Sequence, residues 1–278
     1  MNVDVYGLLD LSPEGMLEEL VAVLGMRGSG KSNTAAVLME ELLRLELPIQ
    51  VVDTRGEYFT LKEQFERVSI VGRGLFCKVD VGLHRENASQ VAEAAYVHGM
   101  PTVVDLSGIP RHERGELLGM YFGRIWDLAA AHRIPTFVFL EEGHNLVPQV
   151  GKTAVSDLFV DFACEGRMHG LSAVLVTQRP ARVDKNVLSQ AGISFLHKVD
   201  LPQDMRVYRD KLNLPMRRVN DMVRRLKAGE VLIAQEGRAI QYTVRLRHTR
   251  HVGATPTLDK VPAPTQMSLL DLLGGGVG

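Results

Sequence analysis

Cysteine is almost missing from this 278-residue chain, which holds only Cys77 and Cys164, far apart in sequence. That excludes a disulfide scaffold and a metal centre built on paired cysteines. Long apolar runs are missing as well. Stretches such as Thr136–Leu140 are strand-length, far below the ~18 residues that would suggest a membrane span. Met1–Asp10 carries acids but no basic residue, so it lacks the charged start of a secretory signal. Together these absences predict a reduced, cytoplasmic protein with no membrane role. A strong net charge is also lacking, the balance being −1, but residues 205–250 hold twelve Lys/Arg against four Asp/Glu. Such a stretch is either a polyanion-facing surface or a solvated helix face with dispersed arginines.

Hydrophobic residues make up 45% and charged residues 23%, ordinary for a globular protein of a length that suits one large α/β domain with appendages. Strand-like runs near 22–24, 49–52, 69–71, 102–106, 136–140, 173–177, 195–199, 230–234 and 242–246 alternate with helical patterns at 31–45, 85–98, 111–131, 155–169, 203–212 and 216–225. These runs lack strict polar spacing, which predicts a mostly parallel sheet buried between helices. Residues 253–265 are rich in Pro and Thr and read as a linker, and the closing 274–278 as a disordered end. The expected division is an N-terminal extension at 1–19, one catalytic domain at 20–252 and a tail at 253–278.

Gly25, Met26, Arg27, Gly28, Ser29, Gly30, Lys31 and Ser32 spell GxxxxGK[ST] between an apolar strand at Leu20–Leu24 and a helix opening at Lys31. Backbone N–H groups of such a loop wrap phosphates, and the helix N-terminus adds partial positive charge. Lys31 is expected on the β- and γ-phosphates and the Ser32 hydroxyl on Mg²⁺. Asn33 completes the expected binding segment. The fold expected is an α/β P-loop NTPase of RecA-like type, its sheet sandwiched by helices.

Hydrolysis also needs an oriented water and an acid near the metal. The strand at 136–140 runs into Glu141 and Glu142, then Gly143 and His144. Adjacent side chains at a strand end diverge, so Glu141 can serve the metal through water while Glu142 orients or deprotonates the attacking water. The strand at 173–177 ends in Gln178, Arg179 and Pro180. Gln178 there senses a γ-phosphate or simply begins a turn ahead of proline. Asp53, opening the segment Asp53-Thr54-Arg55-Gly56-Glu57-Tyr58, helps place the metal-bound water or fixes its own loop.

Residues 25–32, 53–58, 104–108, 140–146 and 165–180, followed by 187–190, 197–204 and 226–232, resemble in content and order the HerA branch of the HerA/FtsK ATPases. The likeness covers about residues 20–250. It implies ATP rather than GTP, Glu142 as catalytic carboxylate and Gln178 as sensor. It further implies a ring-forming, usually hexameric motor that pumps double-stranded DNA through a central pore, typically beside a NurA nuclease. Arginines in such rings complete a neighbour's site. Arg167 is the first candidate, from its own subunit or across the interface, and Arg179 the second. Sequence-independent translocation needs only phosphate contacts, for which Lys152, Arg182, Lys185 and Arg73 are candidates.

Three departures qualify the likeness. Glu141–Glu142–Gly143 stands where the family often has Asp-Glu-Ala, and Gly143 is expected to loosen the turn. About 20 residues precede the first strand, so the N-terminal barrel of longer members is expected to be missing. No sizeable helical insertion separates the core strands. In the tail, Gln266, Met267, Leu269 and Leu270 resemble glutamine-led peptides that dock on bacterial sliding clamps, or form a short amphipathic helix on the protein itself. The expected function is an ATP-driven DNA translocase subunit for end processing or repair. Alternatives are a viral or plasmid packaging or transfer ATPase, an ATP-gated regulatory subunit of a nuclease complex, and a small-molecule kinase.

Overall fold

Ten strands share one sheet in the computed structural model, which describes residues 12–153, 155–235 and 237–252. In chain order they are β1 (Leu20–Leu24), β2 (Ile49–Asp53), β3 (Ser69–Gly72), β4 (Val81–Gly82), β5 (Thr102–Asp105), β6 (Thr136–Leu140), β7 (Leu171–Thr177), β8 (Ala191–Leu196), β9 (Glu230–Gln235) and β10 (Arg238–Thr243). Across the sheet they run β10-β9-β8-β1-β7-β6-β2-β5-β3-β4. Pairings from β8 through to β4 are parallel, whereas β8–β9 and β9–β10 are antiparallel. The expected parallel sheet is thus present and ends in a hairpin at one edge. The clamp-like peptide at 266–270 lies outside the described residues.

The helices are α1 (Pro13–Leu17), α2 (Lys31–Arg44), α3 (Ala88–Val97), α4 (Arg111–His132), α5 (Ser156–Cys164), α6 (Lys185–Gln190), α7 (Pro202–Leu212) and α8 (Met216–Arg225). Neighbouring strand residues point to opposite faces, and both faces are buried. Ala22, Leu24, Val138 and Leu140 pack toward α4 and α5 through Phe122 and Phe159. Val21, Val23, Phe137, Phe139 and Val174 pack toward α2 through Ala35 and Leu38. Two-sided burial is why these strands carry no polar alternation. No helix among the described residues is long and apolar enough to cross a membrane.

Three elements differ from the sequence pattern. The helix expected over 155–169 stops at Cys164 and continues as a 3₁₀ turn at Gly166–His169. The strand expected at 195–199 is β8, shifted toward the N-terminus by its register with β1, in which Leu20 pairs with Ala191 and Leu24 with Leu196. The strand expected at 242–246 is β10, where Arg238 opposite Gln235 sets the register. β10 is an edge strand with mostly exposed side chains, so it carries little apolar signal.

Beyond β10 the chain crosses the outer side of α2. Glu40 of α2 is fully buried. Its carboxylate accepts from Arg245 Nη1 (2.8 Å), His248 N (2.8 Å), Thr249 N (2.9 Å) and Thr249 Oγ1 (2.8 Å). Burial alone would raise its pKa, but the hydrogen bonds from Thr249, His248 and Arg245 outweigh that and hold it below the ordinary value. Part of the basic stretch is therefore spent internally, since Arg245 pairs with Glu40 and Glu41, and Arg250 with Glu63. Glu40→Ala strands these donors, and we expect a loss of about 3 kcal/mol or more, read as a lower denaturant midpoint at unchanged slope.

Candidate functional site

Strand β7 lies between β1 and β6, with Leu24 beside Thr177 and Leu140 beside Leu175. The C-terminal tips of the three strands therefore open side by side. The glycine-rich loop leaves β1 anchored by Gly25 N to Thr177 O (3.2 Å) and Met26 N to Lys198 O (2.9 Å). Gly30 sits at φ +104°, and a Cβ there would lie 2.8 Å from Gly229 N. Only glycine fits that combination of conformation and contact.

Lys31, first residue of α2, is 6% exposed and forms no hydrogen bond or ion pair within 4 Å among the described residues. A buried ammonium without a counter-ion calls for an anion. The Ser32 hydroxyl likewise makes no hydrogen bond among the described residues. Asn33 is different. Its side chain donates to Arg245 O (2.7 Å) and accepts from Arg247 N (2.9 Å). Its side chain therefore clamps the C-terminal crossing.

The acidic pair follows β6. Glu141 Oε1 accepts from Tyr58 Oη (2.5 Å) and Oε2 from Glu142 N (2.9 Å). Burial raises the Glu141 pKa, while the Tyr58 hydroxyl and the charge of Lys31 oppose the rise. Glu142 adopts φ +52°, a left-handed conformation costly for a side-chain-bearing residue. Its Oε1 contacts the Arg55 guanidinium and accepts from Gln178 Nε2 (3.3 Å). Its Oε2 is buried, accepts no hydrogen bond, and has His144 Nδ1 3.4 Å away. That ring nitrogen also lies 3.0 Å from Thr177 Oγ1. Gly143 does not loosen the turn as expected: a Cβ there would meet Leu175 Cδ1 at 2.2 Å, so it is a close-packing glycine.

Asp53 takes the second of its two expected roles. Its carboxylate accepts from Arg55 N (3.1 Å), Gly56 N (2.8 Å) and Tyr58 N (2.8 Å). Burial, joined by the nearby charge of Asp105, raises its pKa to about 7 against those same donors. It folds the loop that delivers Arg55 and Tyr58, and three backbone donors already occupy it. Mg²⁺ needs few protein ligands beside phosphate oxygens and water. The free Ser32 hydroxyl and Glu141, each of whose oxygens accepts a single hydrogen bond, fit that requirement, whereas Asp53 does not.

The remaining candidates separate by position. Arg179 follows Gln178 at the same sheet edge and is exposed. Arg167 precedes β7, beside Glu18 O (3.4 Å). The seven-residue β7 puts it about 20 Å from its own phosphate loop, which removes the same-subunit option. Lys152 lies in the loop after β6 and pairs with Asp157 (3.1 Å). Arg182 and Lys185 lie in the loop after β7. Arg73 lies elsewhere, after β3, in a separate hollow shared with His84, Arg85 and His112.

Sequence reasoning missed three residues. Arg55 and Tyr58 lie within the quoted segment after β2, but nothing in the sequence shows that they reach Glu142 and Glu141. His197, the residue after β8, is fully buried, with Nε2 2.9 Å from Thr34 Oγ1 on α2. A Cβ on Gly25 would come within 2.5 Å of the His197 Cβ, so the ring backs the loop directly.

Loop, acidic tip and intervening strand define a P-loop NTPase with a RecA-like sheet. A similar fold occurs in the genome packaging NTPase B204 of Sulfolobus turreted icosahedral virus 2, crystallised with AMPPCP: TM-score 0.55 and 17% identity over 82% of this chain and 98% of that one. A family model of the central domain of the helicase HerA matches residues 4–74. A probable helicase of Methanocaldococcus jannaschii is 23% identical, the match covering 67% of this chain and 54% of that protein. The DNA double-strand break repair helicase HerA of Saccharolobus solfataricus is 24% identical over 77% of this chain and 61% of its own length. The chain thus spans little more than half the length of these relatives. By these matches the chain is similar to the HerA helicases, most directly over the segment that holds the phosphate loop.

His197 gives the loop a pH signature. Burial lowers its pKa from 6.5 to about 4. Between those values the unfolded chain binds more protons than the native one, so stability is complete above 6.5 and is lost as pH falls toward 4. We expect this loss to reach about 3 kcal/mol and to be flattened in His197→Gln, measured by urea denaturation across that range.

Proposed function

We propose that this chain is the ATPase core of a motor that drives double-stranded DNA through a ring of its own copies, using ATP and Mg²⁺. One observation carries the reading: the loops that leave the catalytic tips are joined to each other. Pro148 bridges Val183. Gln149 N donates to Arg182 O (2.7 Å), Asp184 N to Val147 O (2.9 Å) and Lys185 N to Gln149 Oε1 (2.9 Å). Lys152, Arg182 and Lys185 therefore ride on a unit that begins at Glu142 and Gln178, so a shift at the γ-phosphate end moves cations suited to a DNA backbone.

In this mechanism Lys31 holds the β- and γ-phosphates and Gln178 contacts the γ-phosphate. Glu142 is fixed through Oε1, leaving Oε2 as the free acceptor for the proton of the attacking water. Ser32 and, through water, Glu141 would hold Mg²⁺, which would neutralise charge on the phosphate oxygens. In such a ring Arg167, remote from its own phosphate loop, serves the phosphate of a neighbouring copy. Arg179, exposed beside Gln178, is the second candidate for that role. Relatives named DNA double-strand break repair helicases favour DNA-end processing, and a NurA-like nuclease as partner is what the sequence resemblance implies.

The test is ATP hydrolysis with and without duplex DNA. Glu142→Gln should retain nucleotide binding and lose at least about 100-fold in kcat, the usual share of a general base. Lys31→Ala should lose nucleotide binding. DNA-independent turnover would contradict the motor, binding without turnover would favour an ATP-gated regulator, and phosphate transfer to a small molecule would favour a kinase.

A further inference from the structure

Arg217, Arg218, Arg224 and Arg225 of α8, and Lys227 just after it, are all exposed. The opposite side of the helix is fixed to the core, with Val219 and Val223 buried and Met216 and Met222 packed beside them. At about 100° per residue the four arginines fall on one face, in two pairs about 10 Å apart along the axis. None of the five cations forms an ion pair or a side-chain hydrogen bond among the described residues, although Asp221 lies on the same face. Arginines on other helices are held by acids, as Arg124 is by Glu93 and Arg209 by Asp210.

Helix stability does not explain this arrangement. Arg224 and Arg225 suit the last turn, where the helix dipole favours positive charge. Arg217 and Arg218 stand in the first turn, where the dipole disfavours it, and no acid in that turn or side-chain cap offsets them. Charge placed against the local preference points to a demand from outside the fold. The patch also abuts the phosphate loop: four residues after Arg225, Gly229 N donates to Ser29 O (3.0 Å). Helix α8 leads into β9, which lies on the β8 side of β1, whereas the joined loops carrying Lys152 and Arg182 follow β6 and β7 on the other side. The phosphate loop thus has a cationic surface on each flank.

We infer that the exposed face of α8 is a docking surface for duplex DNA, separate from the joined loops, which grips the phosphate backbone through Arg217, Arg218, Arg224 and Arg225. One strand of a duplex presents about three phosphates within about 10 Å of its axis, so both arginine pairs can meet the same strand. Guanidinium groups present planar, forked donors matched to phosphate oxygens. Such contacts position a duplex without reading its bases, which suits a motor indifferent to sequence. The choice of DNA as occupant rests on the reading of the chain as a DNA motor.

The experiment is binding of a fluorescently labelled duplex of mixed sequence by the full chain, followed by anisotropy across a range of salt. Each arginine that meets a phosphate contributes about 0.9 to the slope of log affinity against log salt. Arg217→Gln with Arg218→Gln, and Arg224→Gln with Arg225→Gln, should each lower that slope by about 2 and weaken binding about tenfold or more at low salt. Arg67→Gln with Arg133→Gln removes equal charge ahead of β3 and β6, at the opposite edge of the sheet, and should change neither. Arg217→Glu with Arg218→Glu suits the helix dipole, so that pair should melt no lower than the wild type while binding DNA more weakly than the glutamine pair. α8 pairs that shift the slope no more than the control pair would overturn the surface and point to an acidic protein as its partner. Lower melting of the glutamate pair would assign these arginines to the fold and overturn it as well. A wild type that binds no duplex would instead refute the DNA reading itself, and the inference would fall with it.

Discussion

Strand β7 pairs along its length with β1 on one side and β6 on the other, and the placement of every reactive group follows from that. All seven of its residues are buried, so it presents apolar side chains to both layers of helices. A slip of one residue would exchange the two faces of the strand, setting Leu175 where Val174 and Val176 now pack. Register is consequently fixed, and with it the side-by-side emergence of the phosphate loop, Gln178 and Glu142. The loops carry the chemistry, but the sheet decides where they start.

Charge is the second constraint. Asp53, Glu141 and Glu142 crowd one sheet edge, nearly all removed from water. Each is satisfied differently. Asp53 takes backbone donors, Glu141 takes the Tyr58 hydroxyl, and Glu142 takes Arg55 and Gln178. Lys31 alone is left without a direct partner among the described residues. The asymmetry suits a site completed by a phosphate and its metal ion, since a buried charge without partners is otherwise costly.

The central strands were legible because burial on both faces writes an uninterrupted apolar run, and the phosphate loop because its spacing is dictated by backbone geometry. The edge was not. β4 has two residues and leaves no hydrophobic trace, and β10, mostly exposed, left one only at its C-terminal end. Within the site, residue type announced Lys31, Glu142 and Gln178, but not who holds them. Tyr58 and Glu141 are far apart in sequence, and only the pairing of β2 with β6 brings them together. Asn33 reads as part of the loop, yet its side chain serves residues 245–247. Arg167 precedes the sensor strand in sequence, but a parallel strand carries the chain from one sheet edge to the other, so its start is remote from its end.

The convergence of three strand tips on one phosphate is tested most directly by a crystal structure with a non-hydrolysable ATP analogue and Mg²⁺. The expected result has the triphosphate in the loop at 25–32, the γ-phosphate within hydrogen-bond reach of Lys31 and Gln178, and Glu142 Oε2 facing a water in line with it. A triphosphate seated elsewhere, or a γ-phosphate that neither Gln178 nor Glu142 approaches, would contradict it.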